Sequence, residues 1–282
     1  MPEGDTIFRT ARTLHRALAT KTVTGFRSAY ALLTQFNDNT PLVGQVVERV
    51  ESRGKWVLMY FSGGSILATH MLMHGSWHIY RPGERWQRPG AEMRIVVETG
   101  DFVAVGFDVP LAEMHTANSL AHDRRIPPAA SNLLGRDFDE DAAVERLRAC
   151  GEMELGEALM RQKVLAGVGN VFKSEACFVS GLNPFRKVAS LTREEVARVV
   201  STAREQLSQN VLEDSGEQIV TYRGRWRHTT RRSEQSESLW VYARTGQPCR
   251  RCGEPIRSRK QGVDARVSYW CPRCQPMEQG LL

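Results

Sequence analysis

The hydrophobic positions near the N-terminus repeat with the period of a helix. Four apolar residues are spaced by four, three and four positions: Ile7, Ala11, Leu14 and Leu18. The arginines between them fall on other faces, which is typical of an amphipathic α-helix with one apolar side. We therefore predict a helix over residues 5–19.

Between Val23 and Phe107 the pattern changes to short runs of β-branched and aromatic residues. Turn sequences separate these runs, notably SGGS at 62–65 and TGD at 99–101, as expected for antiparallel strands. We predict a sandwich or barrel of roughly six to eight strands. The clearest predicted strands are Gly44–Val50, Lys55–Phe61, Ser65–Met71, Ser76–Tyr80, Met93–Glu98 and Phe102–Phe107.

Helical spacing returns after a break that contains two prolines. Residues 124–131 include Pro127 and Pro128, interrupt both periodicities and are predicted to form a linker. Residues 213–238 are polar and nearly devoid of aliphatic side chains, which indicates a mobile loop. The helical segments between them are Glu140–Arg148, Leu155–Gln162, Val171–Val179 and Thr192–Asn210.

The length and composition of the chain limit the classes of protein to which it can belong. The chain has 282 residues, 41% of them hydrophobic, which suffices for two packed domains. It contains no apolar run of about 18 residues and no signal-peptide core, so we expect a cytoplasmic protein without a membrane segment.

The formal net charge of +6 is unevenly distributed along the chain. Residues 221–282 contain 13 Lys and Arg against 5 Asp and Glu, whereas the remainder contains 25 against 27. A basic C-terminal part on a nearly neutral body indicates contact with a polyanion such as nucleic acid. Within that part, Tyr222–Arg227 alternates basic and aromatic residues, which suits such a contact and equally a plain solvated loop.

Four cysteines near the C-terminus have the spacing of a zinc site. Two CxxC pairs, Cys249 with Cys252 and Cys271 with Cys274, are separated by 18 residues. Each CxxC turn offers two sulfurs to one tetrahedral ion, and four thiolates leave no open position for substrate, so the predicted zinc is structural. Two disulfides are less favoured in a cytoplasmic chain. The remaining cysteines, Cys150 and Cys177, are predicted to be ordinary reduced thiols.

Four short motifs follow one another along the chain. The chain opens Met1-Pro2-Glu3-Gly4-Asp5-Thr6 before its first helix, and SRGK follows at 52–55. QKVLAGVGN at 162–170 lies between two predicted helices, and Arg266 stands five residues before Cys271. Together these motifs resemble the formamidopyrimidine-DNA glycosylase and endonuclease VIII family. The resemblance runs from Pro2 to Gln275, essentially the whole chain.

The resemblance implies an α+β architecture that agrees with the hydrophobic pattern. It comprises an N-terminal helix plus antiparallel β-sandwich, then a helical helix-two-turn-helix domain with a C-terminal four-cysteine zinc ribbon. The corresponding predicted boundaries are 1–123, a linker at 124–131, 132–238 with the polar loop, and 239–282. Gly167 and Gly169 would permit tight turns, so that backbone amides and Asn170 approach a phosphate.

The resemblance also implies catalysis by the N-terminal amine. Once Met1 is removed, Pro2 carries an α-amine, which titrates near about 8 rather than the value of about 10.4 for lysine. Such an amine attacks the deoxyribose C1′ atom, displaces the damaged base and forms a Schiff base. By resemblance Glu3 is the proton donor that opens the sugar, Lys55 assists β-elimination, and Arg266 binds phosphate during δ-elimination.

The enzyme that the resemblance implies must flip its target nucleotide out of the duplex. The segment HMLMHG at 70–75 stands where the family carries its intercalating loop. It implies a wedge that fills the gap and further residues that contact DNA. The wedge is predicted to be Leu72, Met73 and His74, and the other contacts are His70, Asn170 and Lys173. Without the resemblance, Met71 and Met73 would be interpreted as core residues of a strand.

Three interpretations of the function remain open. The first is a glycosylase: Gly4-Asp5-Thr6 resembles the endonuclease VIII branch and favours oxidised pyrimidines such as thymine glycol, although the Tyr222–Arg227 loop resembles the purine-lesion branch. The second is a non-catalytic damaged-DNA binding protein, and the third is a zinc-ribbon module fused to an unrelated domain. We expect a monomer whose partner is damaged double-stranded DNA, with Arg124 or Arg125 as candidate linker arginines.

Overall fold

The computed structural model describes residues 2–212, 221 and 238–277. The chain divides into two compact units, Met1–Pro128 and Ala129–Leu282. This division falls inside the segment 124–131 that was predicted as the linker. The Tyr222–Arg227 segment lies outside the described residues.

The first unit consists of eight strands in two sheets and three helices. One antiparallel sheet has the strand order β1-β6-β7-β5 and the other β2-β3-β4-β8. The helices are α1 (Gly4–Leu18), α2 (Ala31–Asn39) and α3 (Ala117–His122). The strands are β1 (Val23–Ser28), β2 (Val47–Arg53), β3 (Trp56–Phe61), β4 (Ile66–His70), β5 (Ser76–Tyr80), β6 (Met93–Thr99), β7 (Val103–Phe107) and β8 (Leu111–His115).

Strand β3 is buried on both faces. Its residues Val57 and Phe61 belong to a core that includes Leu14 on the apolar side of α1. The alternate residues, among them Trp56, pack in a second cluster with Leu120. Since side chains alternate across a strand, this double burial makes β3 the rigid element from which the turn before it projects.

In its described residues, the second unit contains four α-helices and a two-stranded ribbon. Side-chain caps start two of the helices: Asp139 accepts from the amide of Ala142, and Thr192 forms a reciprocal capping box with Glu195. None of the helices in the described part of the chain has the length and apolar character to cross a membrane. The elements are α4 (Glu140–Arg148), α5 (Leu155–Met160), α6 (Asn170–Val179), α7 (Arg193–Gln209), β9 (Arg257–Gln261) and β10 (Arg266–Trp270).

Candidate functional site

The N-terminal end of α1 brings the predicted nucleophile next to two buried carboxyl groups. Pro2 is half-buried and directly precedes Glu3, which caps α1 with extended backbone and is 1% exposed. Asp5 is fully buried, and this burial raises the pKa of its carboxyl group against the opposing effect of Arg9. The structure thus places Pro2 directly beside a buried carboxyl group at the N-terminal end of α1.

Lys55 projects from a tight turn between β2 and β3. Arg53 pairs with Trp56, so only Gly54 and Lys55 form the turn, and Gly54 has a φ of 59° that suits glycine. Arg53 donates from Nη2 to the Tyr60 hydroxyl at 3.1 Å. This bond anchors the base of the turn on the buried strand β3.

A polar network continues from that anchor along the same hairpin. The Tyr60 hydroxyl donates to Glu51 Oε1 at 2.7 Å, and Arg53 donates to the same oxygen at 3.1 Å. Burial, followed by the hydrogen bond to Glu51, raises the pKa of Tyr60 to about 12. The network thus places the neutral Tyr60 phenol and the Arg53–Glu51 ion pair on the hairpin whose turn carries Lys55.

His70 lies at the end of β4, next to the Lys55 turn. Its backbone pairs with Trp56, and the two rings meet edge to face at 5.1 Å. Nδ1 accepts a hydrogen bond from the Leu72 amide at 3.1 Å, so the proton of the neutral ring is on Nε2. Burial, followed by the charge of Lys55, lowers the pKa of His70 to about 4. At neutral pH His70 is therefore an uncharged hydrogen-bond donor.

The segment after His70 is an exposed apolar loop, which we term the wedge loop (residues 71–75). Leu72 and Met73 are 43% and 55% exposed, and His74 is exposed as well, whereas Met71 is buried. Leu72 has a φ of 45°, a left-handed conformation that is unfavourable for leucine. Exposed apolar side chains on a strained backbone are a feature of binding loops rather than of a core. The interpretation of Met71 as a core residue is correct, and that of Met73 is wrong.

In the second unit, the glycine-rich turn is held together by Gln162. Its amide nitrogen donates to the carbonyl oxygens of Met160 and Val168 at 2.9 Å each, and its Oε1 accepts from Gly167 N at 3.0 Å. Gly167 has a φ of 105°, which explains the glycine. The turn brings Asn170 to the first position of α6, where backbone amides point out of the helix.

Asn170 connects the start of α6 to strand β10. Its Nδ2 donates to the carbonyl oxygen of Val267 at 2.9 Å, and Val267 directly follows Arg266. Within the described part of the chain, the buried Asn170 Oδ1 has no hydrogen-bond partner. The structure thus brings Asn170 beside the backbone of the predicted phosphate-binding strand, and Arg266 itself is exposed.

Lys173 occupies an internal position. It has no exposed surface, and its Nζ donates to Ser268 Oγ at 2.7 Å. Ser268 in turn donates to Gln261 Oε1 at 2.5 Å. A phosphate contact requires a surface position, so the structure does not favour the predicted DNA contact by Lys173. Its hydrogen bond instead fastens α6 to the ribbon.

The four predicted zinc ligands lie together. All four sulfurs are within 4.8 Å of one another, with separations of 3.4 Å between Cys252 and Cys271 and 3.9 Å between Cys249 and Cys274. A tetrahedral ion with Zn–S bonds of about 2.3 Å requires sulfurs roughly 3.8 Å apart. Burial and the neighbouring sulfurs raise the pKa of Cys274, which disfavours its thiolate form. A bound dication would offset this effect, because it stabilises the thiolate that coordinates it. The donor set fits one structural zinc ion.

Two clusters of charged side chains were not predicted from the sequence. Arg125 forms ion pairs with Glu113 and Asp123, and the buried His115 lies 3.6 Å from Glu113 Oε2. Both candidate linker arginines are exposed, and Arg125 is in addition held by two carboxylates.

The second cluster centres on Glu175, a fully buried carboxylate on α6. It accepts hydrogen bonds from the amides of Trp240, Val241 and Tyr242 at 2.8 to 2.9 Å, and from the Thr221 hydroxyl. A single glutamate thereby fixes backbone on both sides of residues 222–237.

Family models match three consecutive parts of this chain. Residues 1–108 match the formamidopyrimidine-DNA glycosylase N-terminal domain, and residues 130–221 match the H2TH domain of the same glycosylase. Residues 246–276 match a zinc finger found in FPG and IleRS. The matches follow the order of the motifs along the chain.

Relatives and solved structures agree with the family models. The chain is 37% identical to the probable endonuclease 8 2 of Streptomyces coelicolor, over 98% of this chain and 94% of that protein. It is also 37% identical to the DNA-(apurinic or apyrimidinic site) lyase Nei2 of Mycolicibacterium smegmatis, over 98% and 99%. The fold is shared with Lactococcus lactis formamidopyrimidine-DNA glycosylase bound to DNA containing an AP site, with a TM-score of 0.76, 21% identity and coverage of 97% and 99%.

Proposed function

Because this chain belongs to the formamidopyrimidine-DNA glycosylase and endonuclease 8 family, we propose that it is a base-excision-repair DNA glycosylase with AP lyase activity on damaged duplex DNA. The observation that carries the proposal is the pairing of Pro2 with the buried Glu3 at the start of α1. A nucleophilic amine beside a desolvated acid is the arrangement that this chemistry requires.

The proposed glycosylase step uses the N-terminal amine directly. After removal of Met1, the Pro2 nitrogen forms a bond to C1′ while the glycosidic bond breaks, and the electron pair leaves with the damaged base. Glu3 protonates the ring oxygen O4′, which opens the sugar and yields an iminium ion. Glu3 is 1% exposed, so the transfer takes place away from bulk water.

The proposed lyase steps follow from the iminium ion. It acidifies the C2′ proton, and loss of that proton expels the 3′ phosphate by β-elimination. A second elimination then releases the 5′ phosphate. Lys55 stabilises the departing phosphate as a cation, the neutral His70 donates a hydrogen bond, and Arg266 with the amides at the start of α6 binds backbone phosphate.

The wedge loop is proposed to fill the space left by the flipped nucleotide. Leu72 and Met73 present exposed apolar side chains, and His74 adds a ring that can stack on a base. We propose oxidised pyrimidines as substrates because the Gly4-Asp5-Thr6 start resembles the endonuclease VIII branch and the 37%-identical relatives carry endonuclease 8 and Nei2 names. Leu72 departs from the polar residue found at this wedge position in that branch, so the proposal carries over no opposite-base preference from it.

Borohydride trapping tests the proposal. Met-processed protein is incubated with duplexes that carry thymine glycol, 8-oxoguanine or an abasic site, then reduced, and the adduct is mapped by mass spectrometry. We expect an adduct on Pro2 with thymine glycol and abasic DNA, and loss of that adduct in a matched protein that retains Met1. An adduct with 8-oxoguanine but not with thymine glycol would contradict the proposed pyrimidine substrates and indicate purine lesions instead. Tight lesion binding without an adduct would indicate a non-catalytic damage-binding protein.

A further inference from the structure

The base of the wedge loop is held by an arginine from a separate loop. Arg88 lies in the segment 81–92 between β5 and β6 and donates from Nη1 to Ser76 Oγ at 3.0 Å. Ser76 is the first residue after the wedge loop. The guanidinium also donates to Asp108 Oδ2 at 2.6 Å and to Glu92 Oε2 at 2.7 Å. One planar group thus connects three segments of the chain.

Asp108 extends this connection to Gly75, the last residue of the wedge loop. It has a φ of 46°, an uncommon conformation for aspartate, and its amide donates to the Glu92 carbonyl at 2.8 Å. A Cβ atom on Gly75 would lie only 3.0 Å from the Asp108 carbonyl oxygen and 2.7 Å from the Met71 carbonyl oxygen. The turn at Asp108 and the end of the wedge loop are therefore in direct contact.

We propose that Arg88 is a positioning residue that fixes the wedge loop in the conformation needed to enter the DNA duplex. The inference rests on the proposed function, because it assumes that the wedge loop intercalates. Arg88 does not touch the reacting atoms. It acts through Ser76, which directly follows the loop, and through Asp108, whose carbonyl oxygen lies against Gly75 at the end of the loop.

The physical case depends on the strain within the loop. Leu72 and Asp108 both have left-handed backbones, which persist only when surrounding contacts hold them. A partly buried guanidinium with several charge-assisted hydrogen bonds is a rigid anchor. Its side chain is only 27% exposed and lies above the Phe107 ring at 5.6 Å. Without Arg88 the loop can relax, and the exposed Leu72 and Met73 lose their defined direction.

The test compares Arg88→Met with matched variants on duplex and single-stranded substrates. We expect Arg88→Met to lower excision of thymine glycol from duplex DNA by about tenfold, the scale of loss that follows from a misplaced group. Trapping on single-stranded abasic DNA, which needs no wedge, should change less than about twofold. A 2-aminopurine placed opposite a tetrahydrofuran abasic analogue should show a smaller rise in fluorescence on binding, because fewer bases are unstacked.

Controls separate positioning from stability and from failure of the proposed function. Glu92→Gln weakens one Arg88 contact but keeps those to Ser76 and Asp108, and Arg85→Met changes an exposed arginine of the same segment. Arg88→Lys should restore part of the fluorescence change. If Glu92→Gln at matched thermal stability loses as much excision and fluorescence, Arg88 is only a stabilising residue and the inference is overturned. If the wild-type protein forms no adduct on any substrate, it is the proposed function that fails.

Discussion

At the residue scale, two neighbouring side chains differ in charge, because burial keeps His70 neutral beside the positively charged Lys55. Lys55 and His70 lie on adjacent segments of one sheet, and the charge of Lys55 contributes to the low pKa of His70. The hydrogen bond from the Leu72 amide also requires an unprotonated Nδ1. His70 thus connects the Lys55 turn to the wedge loop as a neutral group.

This arrangement predicts a specific loss of stability in acid. The pKa of His70 is about 4 in the folded protein and 6.5 ordinarily, so between these values the unfolded chain binds a proton that the folded one rejects. Stability that is complete above about pH 6.5 should therefore fall as the pH approaches 4, by about 1–2 kcal/mol at pH 5. His70→Asn, which keeps an acceptor for the Leu72 amide, should remove that part of the loss.

Urea unfolding at pH 7.5 and 5.0 measures this effect. His122→Gln on α3 is the control, because that histidine is exposed. An equal difference between the two pH values in wild type and His70→Asn would show that His70 is not the responsible group.

At the element scale, the helices and strands with a strong local hydrophobic periodicity were the ones predicted from the sequence. Helix α4 and strand β5 have the predicted bounds, and α1 differs by one residue at each end, because their periodicity is set by residues close in sequence. Helix α2 was missed, since Leu33 is its only buried residue and it has no apolar stripe. Strand β8 was missed because its sequence LAEMH favours helix, and pairing with β4 overrides that preference.

Among the site residues too, only those whose partners are close in sequence could be predicted. The zinc ligands are recognisable from spacing alone, since two short turns supply all four sulfurs. Arg88, Glu175 and the Asn170 contact to Val267 join residues that are 12 to 97 positions apart in sequence. Only the folded topology brings such partners together, so no local signal marked them.

Glu175 provides a test at this scale because it joins α6 to the segment before the zinc ribbon. Its carboxylate is buried and accepts three backbone amides. Glu175→Gln removes the charge and leaves amides poorly paired, so we expect a loss of about 2–4 kcal/mol in unfolding free energy. Hydrogen exchange at Trp240, Val241 and Tyr242 should accelerate in parallel. The exposed Glu205→Gln on α7 should change neither quantity, and unaltered exchange in Glu175→Gln would contradict the anchoring role.

The zinc ribbon gives a second test at the element scale. Cys252→Ser removes one of four ligands, and because structural zinc supplies folding free energy of about 10 kcal/mol, we expect loss of the bound ion and of ordered β9 and β10. Metal analysis should give one zinc per chain for wild type and none for the variant, with DNA affinity lowered at least about tenfold. Cys150→Ser, whose half-buried sulfur lies 3.7 Å from the Arg146 carbonyl, is the control and should retain zinc. Retention of zinc and affinity by Cys252→Ser would exclude a four-thiolate structural site.

At the scale of the whole molecule, the distribution of charge predicts where DNA affinity depends on salt. The net charge of +6 conceals an excess of positive charge in residues 221–282. Cations outside that region are often neutralised locally, as Arg27 is by Glu98 and Lys187 by Glu152. Counterion release on DNA binding should therefore come mainly from the C-terminal cations.

Two matched double variants distinguish this interpretation from a solvated basic face. Arg257→Gln with Lys260→Gln removes two exposed cations from β9, and Arg27→Gln with Lys187→Gln removes two ion-paired ones. If the β9 cations contact phosphate, the slope of log affinity against log salt should decrease in magnitude by about 1.8 in the first variant and hardly change in the second. Fluorescence anisotropy with a tetrahydrofuran-containing duplex, from about 50 to about 200 mM salt, measures both slopes. Equal slopes in the two variants would mean that Arg257 and Lys260 face solvent in the complex, and the phosphate contacts would then have to come from the other C-terminal cations, Arg266 among them, and from the first turn of α6.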